Sequence, residues 1–90
     1  MKVIKIGAVW CSGCLVMRPV WKRIEAENLW LVTEYHDFDE RKDIVDQYKV
    51  DSGVLPVFVF LDKDENELLR LTGEVSRERI LQAIHEYKDR

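Results

Sequence analysis

Two cysteines, Cys11 and Cys14, are the only thiols in the chain, and they stand where one hydrophobic periodicity gives way to another. Before them Val3, Ile4, Ile6, Ala8 and Val9 form a nearly continuous apolar run, which predicts a buried strand over about Lys2 to Val9. After them Cys14, Met17, Val20, Trp21 and Ile24 recur at helical spacing, which predicts a helix from about Cys11 to Asn28. The pentad Trp10-Cys11-Ser12-Gly13-Cys14 therefore joins a strand to a helix. Two cysteines at i and i+3 on a helical turn face the same way, with Cβ atoms about 5–6 Å apart. A disulfide wants about 3.5–4.5 Å, so a small adjustment closes the pair. The first turn of a helix also presents unpaired N–H groups and a partial positive charge, which favours a thiolate. Cys11, at the helix start, is expected to have a lowered pKa and to be the nucleophile. Cys14, one turn in, is placed to attack a mixed disulfide on Cys11 and release the partner. The local chemistry is thiol–disulfide exchange.

The rest of the chain supplies a frame for that junction. Pro19 lies inside the helix and predicts a kink, because it removes one backbone hydrogen bond and clashes with the preceding turn. Leu29 to Phe38 reads as a second strand, with Leu31, Thr33 and Tyr35 alternating against Val32 and Glu34. Strand, helix and strand in that order imply a right-handed crossover and parallel pairing. Asp39 to Val50 carries a narrow helical stripe, Ile44, Val45 and Tyr48, and Asp51-Ser52-Gly53 is turn composition. Val57 to Leu61 and Leu68 to Thr72 predict a hairpin around a charged turn. Ser76 is a good N-cap for a last helix whose buried stripe is Ile80, Leu81, Ala83, Ile84 and Tyr87. The expected fold is α/β, in the order β-α-β-α-β-β-α, with a four-stranded mixed sheet of spatial order 2-1-3-4 flanked by three helices. The dithiol helix and the last helix should share one face. The short helix around Ile44 should cover the other. Residues 1–90 are expected to form a single domain.

Composition excludes several function classes. With 47% hydrophobic and 34% charged residues the chain is a globular domain rather than a disordered segment. A net charge of −3, with basic residues scattered in ones and twos, is unlike a nucleic-acid binder with its basic stripe. No apolar run approaches the roughly 20 residues of a membrane span. The N-terminus has Lys2 and Lys5 but no signal-peptide core, so a cytoplasmic location is expected. In that compartment a C-x-x-C pair is catalytic or metal-binding rather than a structural staple. A structural zinc site wants four ligands, and neither His36 nor His85 is close to the cysteines in sequence. Both histidines read as polar surface. Arg18, Lys22 and Arg23 read as a solvated helix face, with Arg18 the one to watch because it lies two turns from Cys11.

W-C-x-x-C at a strand-to-helix junction resembles thioredoxin, and the resemblance extends over nearly the whole chain. Pro19, eight residues past Cys11, resembles the proline that kinks the family's active-site helix. Val54-Leu55-Pro56-Val57-Phe58 looks like its cis-proline loop entering a strand, and Gly73 resembles the glycine before its closing helix. Read alone, Pro56 would be a trans proline opening an edge strand, since cis occurs in only about 5% of X–Pro bonds. The resemblance implies a cis Leu55–Pro56 bond beside the dithiol, with the Leu55 backbone pairing to bound substrate. Trp10, Ser12, Gly13, Leu55 and Pro56 are then the expected substrate-binding residues, and Cys11 and Cys14 the catalytic ones. Two departures stand out. Thioredoxins usually carry a further strand and helix before the first strand seen here, and with that strand starting at about Lys2 neither is expected in this chain. They also keep a buried acid six residues before the first cysteine, where this chain has Lys5. Either Lys5 lies beneath the dithiol, where a cation would favour thiolates, or its stem snorkels to water.

The favoured function is a small thiol–disulfide oxidoreductase acting on disulfides of client proteins. It would be reset by a thioredoxin-reductase-like flavoprotein or a small thiol, with no bound cofactor or metal, and a monomer is expected. The alternative is a non-catalytic thioredoxin-like module that binds partners through Trp10, Leu55 and the thinly covered sheet face. Ser12-Gly13 stands where the family commonly has Gly-Pro, which leaves reductant and isomerase-like roles both open.

Overall fold

The strand and helix patterns resolve into four strands and three α-helices in the computed structural model, which describes all of residues 1–90. In chain order these are β1 (Lys2–Gly7), α1 (Ser12–Glu27), β2 (Val32–Asp37), α2 (Lys42–Tyr48), β3 (Val57–Leu61), β4 (Glu67–Thr72) and α3 (Arg77–Tyr87). The sheet runs β2-β1-β3-β4. β1 pairs in parallel with β2 and antiparallel with β3, and β3 pairs antiparallel with β4. Fold class and strand order are therefore those expected from the sequence.

Alternation along β1 and β3 divides the core in two. Val3 of β1 and Phe58 and Phe60 of β3 point to the face covered by α1 and α3, where Met17, Trp21, Ile24, Ile80, Ala83 and Ile84 meet them. Trp21 is the centre of that layer, tilted against Phe58 and Phe60 with ring centroids 5.2 and 6.4 Å away. Ile4, Ile6, Val57, Val59 and Leu61 point the other way and pack on Val45 and Val50 from α2 and the residues after it. Both faces of β3 are thus buried, which explains an unbroken run of apolar residues there.

Element ends differ from the sequence reading by a few residues, each for a local reason. β1 stops at Gly7 because its partner ladder stops there, opposite Asp37. β2 begins at Val32 rather than Leu29: Leu31 donates its N–H to the Asn28 carbonyl in a turn that ends α1. α2 is shorter than Asp39 to Val50, because the Asp37 side chain accepts the N–H groups of Asp39 and Glu40 and holds them in a turn. Asp51, Ser52 and Gly53 lead into a single 3-10 turn, Ser52–Val54, with the Asp51 carboxylate accepting the Gly53 N–H. Gly73, between β4 and α3, has φ of +77°, a conformation that favours glycine.

Ser76 caps α3 as expected, its hydroxyl accepting the Arg79 N–H at 3.1 Å. Ser76→Ala should cost about 1 kcal/mol of stability, read as a lower urea midpoint at unchanged slope. A change under about 0.3 kcal/mol would show that the cap contributes little.

Candidate functional site

The two thiols sit at the C-terminal end of β1, where the chain turns into α1. Cys11 is the N-cap residue, with extended backbone (φ −92°, ψ 114°), and its Sγ accepts the Cys14 N–H at 3.3 Å. This is the capping arrangement usually made by Ser or Asp, with sulfur in the role of oxygen. It places Cys11 Sγ over the open amides of the first turn. Both cysteines are free, and each is largely buried with Ala8 against Phe38 and Leu55. Ser12 is exposed and Gly13 half-buried between them.

Burial and Cys11 treat the second thiol unfavourably as an anion. Removal from water, then its hydrogen-bonding relation to Cys11, pushes the Cys14 thiol up to about 11. The backbone at Ala8 and the charge of Arg18 pull the other way without overcoming them. Cys14 is therefore held protonated near neutral pH.

Pro56 reaches the dithiol from the opposite side of the fold. The Leu55–Pro56 bond is cis, as the resemblance implied, and Pro56 is buried. A Cβ placed on Gly13 would stand 3.3 Å from Pro56 Cδ and 4.0 Å from Cys11 Sγ. The proline ring thus packs directly on the backbone between the cysteines, and its carbonyl accepts the Gly73 N–H at 2.7 Å. Leu55 is half-buried beside it. Trp10 is 55% exposed on the near side, forming a rim with Val9. All the expected site residues, Trp10, Cys11, Ser12, Gly13, Cys14, Leu55 and Pro56, are brought to one end of the sheet.

Other residues at this end were invisible from sequence. The Trp10 indole N–H donates to Asp39 at 2.6 Å, and its ring meets Phe38 edge-on. Asp39 is distant in sequence but adjacent in space, because parallel pairing sets the ends of β1 and β2 side by side. Tyr35 and Cys14 approach each other across Gly7, where a Cβ would stand 3.0 Å from Cys14 Sγ and 3.2 Å from the Tyr35 hydroxyl. Such contacts are tighter than most side chains make, so a residue larger than glycine would push the Cys14 and Tyr35 side chains aside by a few tenths of an ångström. The only sequence signal for Tyr35 was its place in the alternation with Leu31 and Thr33.

Lys5 follows neither of its two expected courses. Its ammonium leans over the Trp21 ring, 5.5 Å from the centroid, and forms an ion pair with Glu25 of α1. Glu25 also accepts the Thr33 hydroxyl at 2.9 Å. The stem neither reaches open water nor leaves its charge free beneath the thiols: the carboxylate on the neighbouring helix captures it first. His85 is exposed on α3, as expected of polar surface, whereas the His36 side chain on β2 is largely covered, lying between Glu34 and Arg41 rather than near the thiols. No cluster of three or more His, Cys, Asp or Glu side chains has metal-site geometry. No helix is long and apolar enough to cross a membrane.

Comparison with known proteins agrees with the geometry. A family profile described as Thioredoxin matches residues 1–87. Thioredoxin H5 of Oryza sativa subsp. japonica is 31% identical over 71 residues, covering 79% of this chain and 50% of the relative. A thioredoxin H-type of Brassica oleracea is 29% identical over 76 residues, covering 84% and 59% respectively. The chain thus spans only half to three-fifths of the length of these curated relatives. Among solved structures, thioredoxin NaTrxh from Nicotiana alata superposes with a TM-score of 0.82 at 26% identity, covering 96% of this chain and 73% of that one.

Proposed function

This chain belongs to the thioredoxin family, and we propose that it is a thiol–disulfide oxidoreductase that reduces disulfides of client proteins. Cys11 Sγ attacks one client sulfur; the client disulfide breaks and a Cys11–client mixed disulfide forms. Cys14 then loses its proton and attacks Cys11 Sγ. A Cys11–Cys14 disulfide forms, and the client leaves with both sulfurs reduced. The two electrons come from the dithiol, so the step needs no bound cofactor. A flavoprotein reductase or a small thiol returns them.

The observation that carries this reading is the capping geometry. Cys11 Sγ heads α1 and accepts the Cys14 amide, which is the place for a sulfur that must take up negative charge. Division of labour supports it, since Cys14 stays protonated until needed. Trp10, Ser12, Gly13, Leu55 and Pro56 form the docking rim, and we assign the pairing of an extended client segment to the Leu55 backbone. In this reading residues 1–90 work as one domain and as a monomer, with protein disulfides rather than nucleic acid as substrate.

Insulin reduction by dithiothreitol tests the proposal. The reduced protein should precipitate insulin chains well ahead of the reagent alone, in proportion to its concentration. A wild-type rate equal to that of the reagent alone would leave the chain as a non-catalytic binding module.

A further inference from the structure

The proposed reaction needs a way to take the proton off Cys14, a thiol whose burial holds it to about 11. The family's acid is absent at Lys5, and Lys5 cannot stand in for it. It is a cation already paired with Glu25. Glu25 is in turn engaged by Lys5 and the Thr33 hydroxyl. Asp37 accepts the N–H groups of Asp39 and Glu40 in the turn after β2. Arg18 carries a guanidinium, which donates hydrogen bonds and offers no acceptor for a proton.

A cleft of about 240 Å³ opens beside Cys14, between α1 and the β1–β2 edge. Cys14, Tyr35 and Arg18 line it together, with the Lys5–Glu25 pair farther along its wall. Tyr35 is half exposed, so its ring bridges the buried thiol and solvent. Its hydroxyl and Cys14 Sγ each lie within 3.2 Å of one point, the missing Cβ of Gly7. The thiol and the phenol thus flank the same glycine at the inner end of the cleft.

We propose that Tyr35 is the proton relay for the resolving thiol, passing the Cys14 proton through its hydroxyl to water in the cleft. The inference rests on the oxidoreductase reading above. As Cys14 Sγ attacks Cys11 Sγ, its proton moves along the cleft to the Tyr35 oxygen, while the Tyr35 hydroxyl proton moves outward to cleft water. The tyrosine is neutral before and after. The Cys14–Cys11 bond forms, the Cys11–client bond breaks, and the client sulfur leaves with the electron pair and takes a proton from solvent.

The charged and titratable groups facing Tyr35 suit a relay rather than a base. Lys5 faces it from β1; Cys14, Arg18, Lys22 and Glu25 from α1, with Cys11 at its N-cap; and Asp37 from β2 itself. Burial, Asp37 and the cysteines raise its pKa against the opposing pull of Arg18, so it keeps its proton near neutrality. The Arg18 charge also lowers the cost of the Cys14 thiolate while the proton is in transit.

The test uses one equivalent of dithiobis(nitrobenzoate), which releases one coloured thiolate when Cys11 attacks and a second when Cys14 resolves. In Tyr35→Phe the first release should keep its wild-type rate. The second should slow about tenfold at pH 7, the gap closing as pH rises toward 10 and hydroxide takes over deprotonation. An unchanged second release, a gap independent of pH, or equal slowing of both releases would overturn the relay. Should Tyr35→Phe fail to fold, the wild type decides: its second release should slow at least about twofold more in heavy water than its first, and equal isotope effects would overturn the relay. No first release from the wild type would instead overturn the oxidoreductase reading, and the relay with it.

Discussion

The Cys14→Ser protein is expected to stall on its client, accumulating a covalent Cys11–client disulfide that the wild type clears within the mixing time of the assay. Serine keeps the size of the side chain but cannot form the Cys11–Cys14 bond, so release waits for an outside thiol. Cys11→Ser should do the opposite. It should show no trapped client, and insulin turnover at the rate of the reagent alone. The asymmetry follows from protonation. With the Cys14 thiol held at about 11, only about one molecule in ten thousand carries a thiolate there at pH 7, so Cys14 makes a poor substitute nucleophile. Iodoacetamide should accordingly label Cys11 first in the reduced wild type, with Cys14 gaining reactivity as pH rises toward 11. Mass spectrometry of the trapped adduct and of the alkylated peptides reads both outcomes. Preferential labelling of Cys14, or turnover by Cys11→Ser, would reverse the assignment.

Phe60→Ala is expected to remove most of the margin of stability. Phe60 is fully buried on the central strand β3, opposite Val3 of β1 and Leu69 of β4, and it supports Trp21 from below. Truncating a buried phenylalanine costs about 3–5 kcal/mol, from lost burial together with the cavity left behind. A chain of this length has roughly 5–13 kcal/mol in total. The urea midpoint should fall steeply and the melting temperature by roughly 15–30 °C. Val54→Ala, at an exposed residue in the loop before Pro56, should change stability by less than about 0.5 kcal/mol. A loss under about 1 kcal/mol in Phe60→Ala would contradict the placement of the core on β3.

Much of this molecule was legible before any coordinates, because the signals are local. Hydrophobic period separated strands from helices, since side chains alternate on a strand and return every three to four residues on a helix. The i, i+3 spacing of Cys11 and Cys14, the proline inside α1 and the serine before α3 act within a few residues of themselves. Even the strand order followed, because a strand–helix–strand unit and a tight hairpin leave few ways to assemble four strands. A cis bond before Pro56 was legible only through resemblance; the residue by itself favours trans.

What the tertiary structure alone decided are the partners of side chains that no local rule constrains. Lys5 had two courses open from sequence, under the thiols or out to water, and took a third because Glu25 lies across the crossover from it. Asp39 holds Trp10, and Tyr35 and Cys14 both lie against Gly7, because parallel pairing sets Lys5 beside Tyr35 and Gly7 beside Asp37. Pro56 packs on Gly13 from more than forty residues away. Such contacts depend on register and on the packing of α1 over the sheet, and these are set by the burial of the whole core at once. Sequence therefore determined which residues are the candidates for sulfur chemistry, while the fold determined which side chains stand around them.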